Sequence, residues 1–360
     1  MISIILGTRP EIIKTAPVIR ELQRENINFS ILHTGQHYSP NMDSSFFTDL
    51  HLPAPHHNLN VGNQPYRKQV GLMVHAIRAI LHKDKPKIVL LQGDTISVVS
   101  GALAASKEHI TVAHHEAGLR CHDITMLEET NRIITDHISD YLFAPTKRSI
   151  ENLKQEGIPD EKIFYTGNTI VDAVQQNIKI SKKKSTIINS LGLKEKGYFL
   201  VTCHRAENVD KQQRLKGILQ GLELVYSKFA TEIIFPIHPR TAKRIDEFGL
   251  TIPDNIKVID PPSYLDFLSL ENNTKLILTD SGGLQEEASI LKVPCVTLRD
   301  STERPETLEL RINTLAGTDP ERILASTTKM LTTPFPNFEN PFGDGKAGER
   351  IISILTRSQQ

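Results

Sequence analysis

Short apolar runs recur along almost the whole chain, each stopping at a polar turn that opens a helix-period segment, and this alternation most restricts how the chain can fold. Ile2 to Leu6 leads into GTRPE and a helical stretch reaching about Arg24, with Thr8 and Glu11 at capping-box spacing and Pro10 in the first turn. Asn28 to His33 leads into the polar loop HTGQHYSPNM, and Tyr66 to His82 has apolar residues at helical spacing. Lys87 to Leu91 ends in Gln92-Gly93-Asp94-Thr95 before a small-residue helix, and Ile110 to His114 ends in Glu116-Ala117-Gly118. The pattern restarts with Phe164 to Gly167, a helix and a lysine-rich stretch at Lys182 to Lys184. Further strands are expected at Tyr198 to Cys203, Glu232 to Ile237, Lys257 to Ile259, Lys275 to Leu278 and Pro294 to Leu298. Strands separated by helices lie parallel, so the fold class expected is α/β with doubly wound sheets. At 360 residues the chain exceeds the usual single-domain length. Two Rossmann-like domains are therefore expected, residues 1–168 and 169–346, with 347–360 forming a helix that returns to the first.

In open parallel sheets ligands bind beyond the carboxyl ends of the strands. Nearly every polar cluster falls at such an end: Arg9, Asp94, Glu116, His204, His238, Ser281 and Arg299. Two half-sites of this kind predict a central cleft between the domains. The sharpest single stretch is Lys275 to Glu287, KLILTDSGGLQEE, which reads as strand, turn and helix. The first N–H groups of such a helix have no partner within it, and the helix dipole adds partial positive charge. Gly282 and Gly283 clear the way for a diphosphate, Ser281 can cap the helix or bond a phosphate oxygen, and Glu287 can reach ribose hydroxyls. Taken alone, the stretch reads equally as an ordinary glycine turn with an N-cap.

Asp94, Glu116, Glu128 and Glu129 crowd acids into the first half. Crowded carboxylates can take and return a proton. The alternatives are that Asp94 caps the next helix while the glutamates are solvated, or that the acids hold a divalent cation. His204-Arg205 reads as a cationic pair for a leaving diphosphate, or blandly as a helix start. Arg9 and Lys14 form a plausible basic pair for phosphate, and Arg304 can serve likewise.

Composition narrows the classes. Lys plus Arg and Asp plus Glu are both 42, a formal net charge of zero, which argues against a nucleic-acid binder or a polybasic membrane protein. The three cysteines, Cys121, Cys203 and Cys295, are widely spaced without a CxxC, as suits a reducing cytoplasm. The start, MISIILGTRP, lacks a basic leader with a cleavage site, and no apolar run approaches membrane-spanning length. A cytoplasmic protein with no membrane or nucleic-acid partner is expected.

Ten motifs in order, GTRPEIIK, TGQHYSPNM, QGDT, HEAGLR, EETNR with TDH, GNTIVDA, HRAENVD, LTDSGGLQEEA, LRDSTERPE and GDGKAGERI, resemble the non-hydrolysing UDP-N-acetylglucosamine 2-epimerases, in particular an archaeal-type subgroup. The resemblance implies a fold like that of the GT-B glycosyltransferases, with UDP held mainly by the second domain. It implies reversible interconversion of UDP-N-acetylglucosamine and UDP-N-acetylmannosamine with no cofactor and no metal, through elimination of UDP to 2-acetamidoglucal and its re-addition. It also implies a homodimer working in cell-surface polysaccharide biosynthesis. Carried over motif by motif, Asp94, Glu116 and Glu128 match the catalytic acids and His204 the catalytic histidine. Arg132 matches an active-site arginine, and Arg9, Lys14, Phe267, Ser281, Gly282, Gly283, Glu287 and Arg304 match the UDP-binding set. Phe267 reads equally as a core aromatic.

The chain departs from the family pattern at His115, where valine is usual, at Leu127, where proline is usual, and at Ala206, which makes HRAEN of the commoner HRREN. Leu127 bears on the placement of Glu128. Only Gln36 and His37 match the loop that binds a second, activating substrate molecule in some bacterial members. The competing readings are a UDP-2,3-diacetamido-glucuronate 2-epimerase, a hydrolysing epimerase, a GT-B glycosyltransferase and a non-catalytic nucleotide-sugar-binding protein.

Overall fold

The computed structural model describes residues 1–36, 46–61 and 66–357. The chain divides into two compact units, Met1–Gln176 with Phe342–Gln360, and Asn177–Pro341.

In the first unit the described residues form a seven-stranded sheet, parallel at every pairing, in the order β3-β2-β1-β4-β5-β6-β7. The strands are β1 (Ile2–Leu6), β2 (Phe29–His33), β3 (His57–Asn58), β4 (Ile88–Gln92), β5 (Thr111–His115), β6 (Tyr141–Ala144) and β7 (Ile163–Tyr165). β1 and β4 are buried at every residue, as expected of central strands covered on both faces. The run near Phe164 is therefore the last strand of this sheet rather than the start of a new one. The helices are α1 (Arg9–Arg24), α2 (Tyr66–Asp84), α3 (Ile96–Lys107), α4 (Leu127–Ile138) and α5 (Lys147–Gln155). Ile5, Leu91, Val98, Ala102 and Met73 form part of the core where α2 and α3 cover the sheet.

Helix α6 (Thr169–Lys184) begins in the first unit and ends in the second, because the division falls at Gln176. The second unit holds a six-stranded parallel sheet in the order β10-β9-β8-β11-β12-β13. Its strands are β8 (Tyr198–Thr202), β9 (Glu232–Pro236), β10 (Ile256–Ile259), β11 (Leu276–Thr279), β12 (Cys295–Thr297) and β13 (Asn313–Leu315). Its main helices are α7 (Gln212–Phe229), α8 (Pro239–Glu247), α9 (Tyr264–Asn273), α10 (Gly282–Ile290) and α11 (Pro320–Thr332). Phe199, Val201, Ile233, Phe235, Leu278 and Val296 anchor one face of the sheet, while Tyr198, Leu200, Ile277 and Cys295 anchor the other.

The last helix, α12 (Ala347–Arg357), belongs to the first unit and packs on α1. The Asp172 carboxylate accepts the Ala347 and Gly348 N–H groups at its start (3.2 and 3.0 Å). In both sheets the chain winds outward in opposite directions from two adjacent strands, β1 and β4 in one and β8 and β11 in the other. Each sheet thus has a switch point where a crevice opens beyond the strand ends.

Candidate active site

At the first switch point β1 runs into Gly7, where a Cβ would come within 2.0 Å of the Thr34 hydroxyl oxygen and 2.2 Å of the Ser97 one, so glycine alone fits. Thr8 is the N-cap of α1 but its hydroxyl makes no capping bond. Glu11 turns across the crevice instead. It accepts the Gly7 N–H at 2.9 Å and the Thr95 hydroxyl at 2.8 Å, tying the loop after β1 to the loop after β4. Burial pushes its carboxyl up to about 7, against the lowering effect of these hydrogen bonds.

Glu116 follows β5 with a left-handed backbone (φ 67°), a conformation that costs free energy in a non-glycine residue. Its carboxylate is 6% exposed and surrounded by donors from three segments. Lys14 Nζ lies at 2.5 Å and Asn168 Nδ2 at 2.8 Å from Oε1, and Gln92 Nε2 donates to Oε2. Beside it His115 is buried, its Nε2 has no hydrogen-bond partner, and burial pushes its ring down to about 4, so it is neutral.

Asp94 does not cap α3. Thr95 takes that position, accepting the Val98 N–H at 3.4 Å. Asp94 Oδ2 instead accepts Arg132 Nη2 at 2.5 Å, and Arg132 Nη1 donates to Glu129 at the same distance. Glu129 also accepts the N–H groups of Cys121 (3.2 Å) and His122 (2.9 Å). Burial opposes its ionisation, but the Cys121 N–H, the Arg132 charge and the His122 N–H outweigh it and hold the carboxyl below the ordinary range. Glu128, in the first turn of α4, is exposed, and none of the hydrogen bonds found among the described residues involves it. The paired glutamates therefore differ in kind: Glu129 is consumed in fixing Arg132, and Glu128 is available to solvent or a ligand. Below the loop, His114 bridges the Gly93 carbonyl and the Asp136 carboxylate, each at 2.7 Å, and so fixes the peptide preceding Asp94.

At the second switch point Asp280, wholly buried at the end of β11, accepts the N–H groups of His204 (3.0 Å) and Arg205 (2.9 Å) and the Asn208 amide (3.2 Å). His204 Nδ1 lies 3.2 Å from Asp280 Oδ1, which leaves Nε2 as the nitrogen available to a ligand. Burial works against the Asp280 charge, but His204 and the Arg205 N–H hold its carboxyl below the ordinary value. Ser281 is the N-cap of α10 and its hydroxyl makes no capping bond. Gly282 and Gly283 have ordinary helical backbones rather than positive φ. A Cβ on Gly283 would meet nothing nearer than the Ser281 hydroxyl at 4.0 Å. Neither backbone strain nor a protein neighbour accounts for glycine there, so the open space is at the bare helix terminus itself, the natural seat of an anion.

Glu287, on the same helix, is buried, with 7% exposure. Arg304 Nε donates to Glu286 at 2.5 Å. Arg299 is held by Glu303 (2.9 and 3.0 Å) and Glu207 (2.8 Å). Phe267 is half-buried against the apolar cluster of Tyr198, Leu270 and Ile277, so it is partly a core residue.

Within the first unit the structure thus joins Lys14 to Glu116 and Asp94 to Arg132, while Arg9 lies 5.4 Å from the Phe46 ring centre and Glu128 stands apart. Within the second it groups His204, Ser281, Gly282 and Gly283 around Asp280. Gln36 accepts the Ser97 N–H (3.1 Å) and hydroxyl (2.8 Å), and His37 lies outside the described residues. Glu11, Gln92, Asn168 and Asp280 were not singled out as site residues from sequence. Asp280 had a visible signal, a carboxylate between Thr279 and Ser281 at a strand end.

Residues 20–356 match the family model described as UDP-N-acetylglucosamine 2-epimerase. The chain is 54% identical to the UDP-N-acetylglucosamine 2-epimerase of Methanocaldococcus jannaschii over 99% of its own length and 98% of that protein's. It is 38% identical to the UDP-2,3-diacetamido-2,3-dideoxy-D-glucuronate 2-epimerase of Pseudomonas aeruginosa, over 98% of each chain. The crystal structure of the Methanocaldococcus jannaschii UDP-GlcNAc 2-epimerase in complex with UDP-GlcNAc and UDP superposes with a TM-score of 0.92, covering 99% of both chains at 54% identity.

Proposed function

The chain belongs to the UDP-N-acetylglucosamine 2-epimerase family, and we propose that it interconverts UDP-N-acetylglucosamine and UDP-N-acetylmannosamine without hydrolysis. The observation that carries this reading is the full-length likeness to a structure solved with UDP-GlcNAc and UDP. The higher identity to the UDP-N-acetylglucosamine enzyme than to the diacetamidoglucuronate enzyme favours that substrate.

The C2 hydrogen of a sugar is hardly acidic, so its loss must accompany or follow departure of the diphosphate, when the anomeric carbon is cation-like. The C1–O bond breaks with its electron pair going to UDP. The C2 proton then goes to a carboxylate and leaves 2-acetamidoglucal. Re-addition of UDP at C1 with a proton delivered to the other face of C2 gives the epimer. Asp94, Glu116 and Glu128 are the proposed acids, and the pairings described above support distinct roles for them. Glu116, ringed by donors, suits a carboxylate that remains ionised beside a developing cation. Glu128, unengaged, suits a group that moves a proton. Arg132 holds Asp94. Lys14 holds Glu116 and, with Arg9, is proposed to meet phosphate.

The bare start of α10, with Ser281, Gly282 and Gly283, is the proposed diphosphate seat. His204 Nε2 is placed to donate to the leaving oxygen while Asp280 orients the ring. Glu287 is proposed to accept from the ribose hydroxyls, Phe267 to lie near the uracil, and Arg304 to complete the nucleotide site. The enzyme is expected to be cytoplasmic and homodimeric, the latter checked by light scattering on the eluting protein.

The test is incubation with UDP-N-acetylglucosamine in heavy water, with a chelator present and no NAD added, read by proton NMR. UDP-N-acetylmannosamine carrying deuterium at C2 is expected, with deuterium also entering the recovered substrate. Product without deuterium excludes the elimination route. Activity lost to the chelator and restored by magnesium excludes metal-free chemistry. Free N-acetylmannosamine identifies a hydrolase instead.

A further inference from the structure

Gly93 precedes Asp94 with a positive φ of 86°, and a glycine in that region can turn its peptide over at little steric cost. Hydrogen bonds therefore decide which way the Gly93–Asp94 peptide faces. The His115 carbonyl accepts the Gly93 N–H (3.0 Å), and the Asn131 amide donates to the Asp94 carbonyl (2.9 Å). The Gly93 carbonyl itself lies 2.7 Å from His114 Nε2, and His114 Nδ1 lies 2.7 Å from Asp136 Oδ1. His114 and Asp136 are both wholly buried. A carbonyl oxygen only accepts, and so does an ionised carboxylate, so a ring that satisfies both carries a proton on each nitrogen.

The groups around the ring agree with that state. Asp136 Oδ2 accepts Arg120 Nη2 at 2.7 Å and the Gly118 N–H at 3.1 Å, which favours the carboxylate over an acid that would donate to Nδ1. Burial works against the Asp136 charge, but His114 and Arg120 hold its carboxyl below the ordinary range. Arg120 is clasped in turn by Glu156, through Nε and Nη2, both at 2.6 Å. Glu156, Arg120, Asp136 and an imidazolium alternate in sign and sum to zero. A neutral ring would leave one negative charge uncompensated where little water reaches. The next groups along the chain add no net charge, since His115 is neutral and Glu116 is paired with Lys14.

We propose that His114 is a buried imidazolium whose two protons clamp the Asp94 loop, one on the Gly93 carbonyl and one on Asp136, and that it is thereby a positioning residue for the reaction; this rests on the catalytic role given to Asp94 above. The ring acts without touching the sugar nucleotide. Loss of the Nε2 proton sets a nitrogen lone pair against the Gly93 carbonyl oxygen, two acceptors 2.7 Å apart, and the peptide that carries Asp94 is released.

The test is nitrogen NMR of the protein labelled at its imidazole nitrogens, with the His114 signals identified by their absence from His114→Asn. At the pH of greatest turnover the wild type is expected to show Nδ1 and Nε2 of His114 both protonated. One bare nitrogen at that pH, on either side of the ring, overturns the proposal. In turnover, His114→Asn should lower kcat by about 10²-fold, the scale of a 1 Å misplacement at a reacting centre, with UDP affinity by calorimetry unchanged. Unchanged kcat overturns the positioning role. Asp136→Asn removes the carboxylate that favours the second proton, so the alkaline loss of kcat should move to lower pH together with the loss of the Nε2 proton. A limb that stays in place while that proton is lost earlier overturns the link between them. Normal turnover in Asp94→Asn overturns the role of Asp94, while two protonated nitrogens would still establish the imidazolium.

Discussion

At the β1–β4 crevice the two loops are tied by Glu11, and at the β8–β11 crevice they are tied by Asp280. The position is equivalent and the chemistry is opposite. Glu11 has the Gly7 N–H and the Thr95 hydroxyl, with smaller help from Thr8, too little to offset burial, so its carboxyl rises to about 7. Asp280 has two backbone N–H groups, an amide and the His204 ring, enough to keep it ionised at zero exposure. A switch point needs a brace across its mouth, but the charge state of that brace is set by the donors present. The first unit keeps its brace near neutral and places its negative charge on Asp94 and Glu116, each paired with a cation. The second buries its negative charge behind His204 and presents the positive helix terminus in front.

The largest expected effects break the comparison at the chemical groups. Asp94→Asn, Glu116→Gln, Glu128→Gln and His204→Asn should each slow turnover by about 10²–10⁴-fold, the usual cost of losing a general acid or base. Calorimetry should find UDP binding retained in the three acid variants, since the nucleotide is assigned to the other unit. Glu128→Gln is the most exposed to failure, given Leu127 before it. Near-normal turnover there would remove Glu128 from the proton transfer.

Next in size is Gly283→Val. It should abolish UDP affinity while moving thermal stability by no more than about 0.5 kcal/mol, as for a substitution that meets no neighbour. Undiminished affinity would place the phosphates elsewhere.

Asp280→Asn should lower unfolding stability by about 1–3 kcal/mol in denaturant titrations, because an amide cannot accept all the donors converging there. It should also lower turnover by misorienting His204. A stable variant with normal turnover would remove Asp280 as the brace.

The last expected effect, read on stability alone, has a definite sign in pH. Glu11 rises from the ordinary 4.5 to about 7 on folding, so its contribution to stability is complete below about pH 4.5 and is lost as pH rises through 7. At about 1.4 kcal/mol per pH unit the loss approaches 3 kcal/mol, less after local relaxation. Glu11→Gln mimics the protonated form and should flatten stability across that window. A pH profile identical to the wild type would show that Glu11 ionises as freely as in the unfolded chain.

Much of this was legible in the sequence because apolar runs ending in polar turns carry the parallel-sheet signal directly. β1, β4, β5, β8 and β11 each fall within a residue of their expected places. β3, β6 and β13 were not anticipated; His57–Asn58 is only two residues and polar, and Asn313–Leu315 has a single apolar residue, so neither shows an apolar run. Within the site, Gly282 and Gly283 announced themselves by type. Glu11 was legible only in part, because its spacing from Thr8 reads as a capping box while its carboxylate also crosses to Thr95, a contact between residues far apart in sequence. The difference between Glu128 and Glu129 was equally hidden. It depends on which face of α4 meets the Cys121–His122 turn.

Helix α12, packed on α1 and secured by Asp172, has a consequence for how the chain is made. Asn168 donates its N–H to the Phe342 carbonyl at 2.7 Å, and Arg350 donates to the Thr166 carbonyl at 3.1 Å. Domains fold as units during synthesis, N-terminal first. Here the N-terminal unit lacks its last helix until residues 177–341 have been translated. On the ribosome the second unit is therefore the first to hold all of its own residues, while the apolar side of α1 waits for a partner translated last. A nascent chain stalled before residue 347 should expose that side.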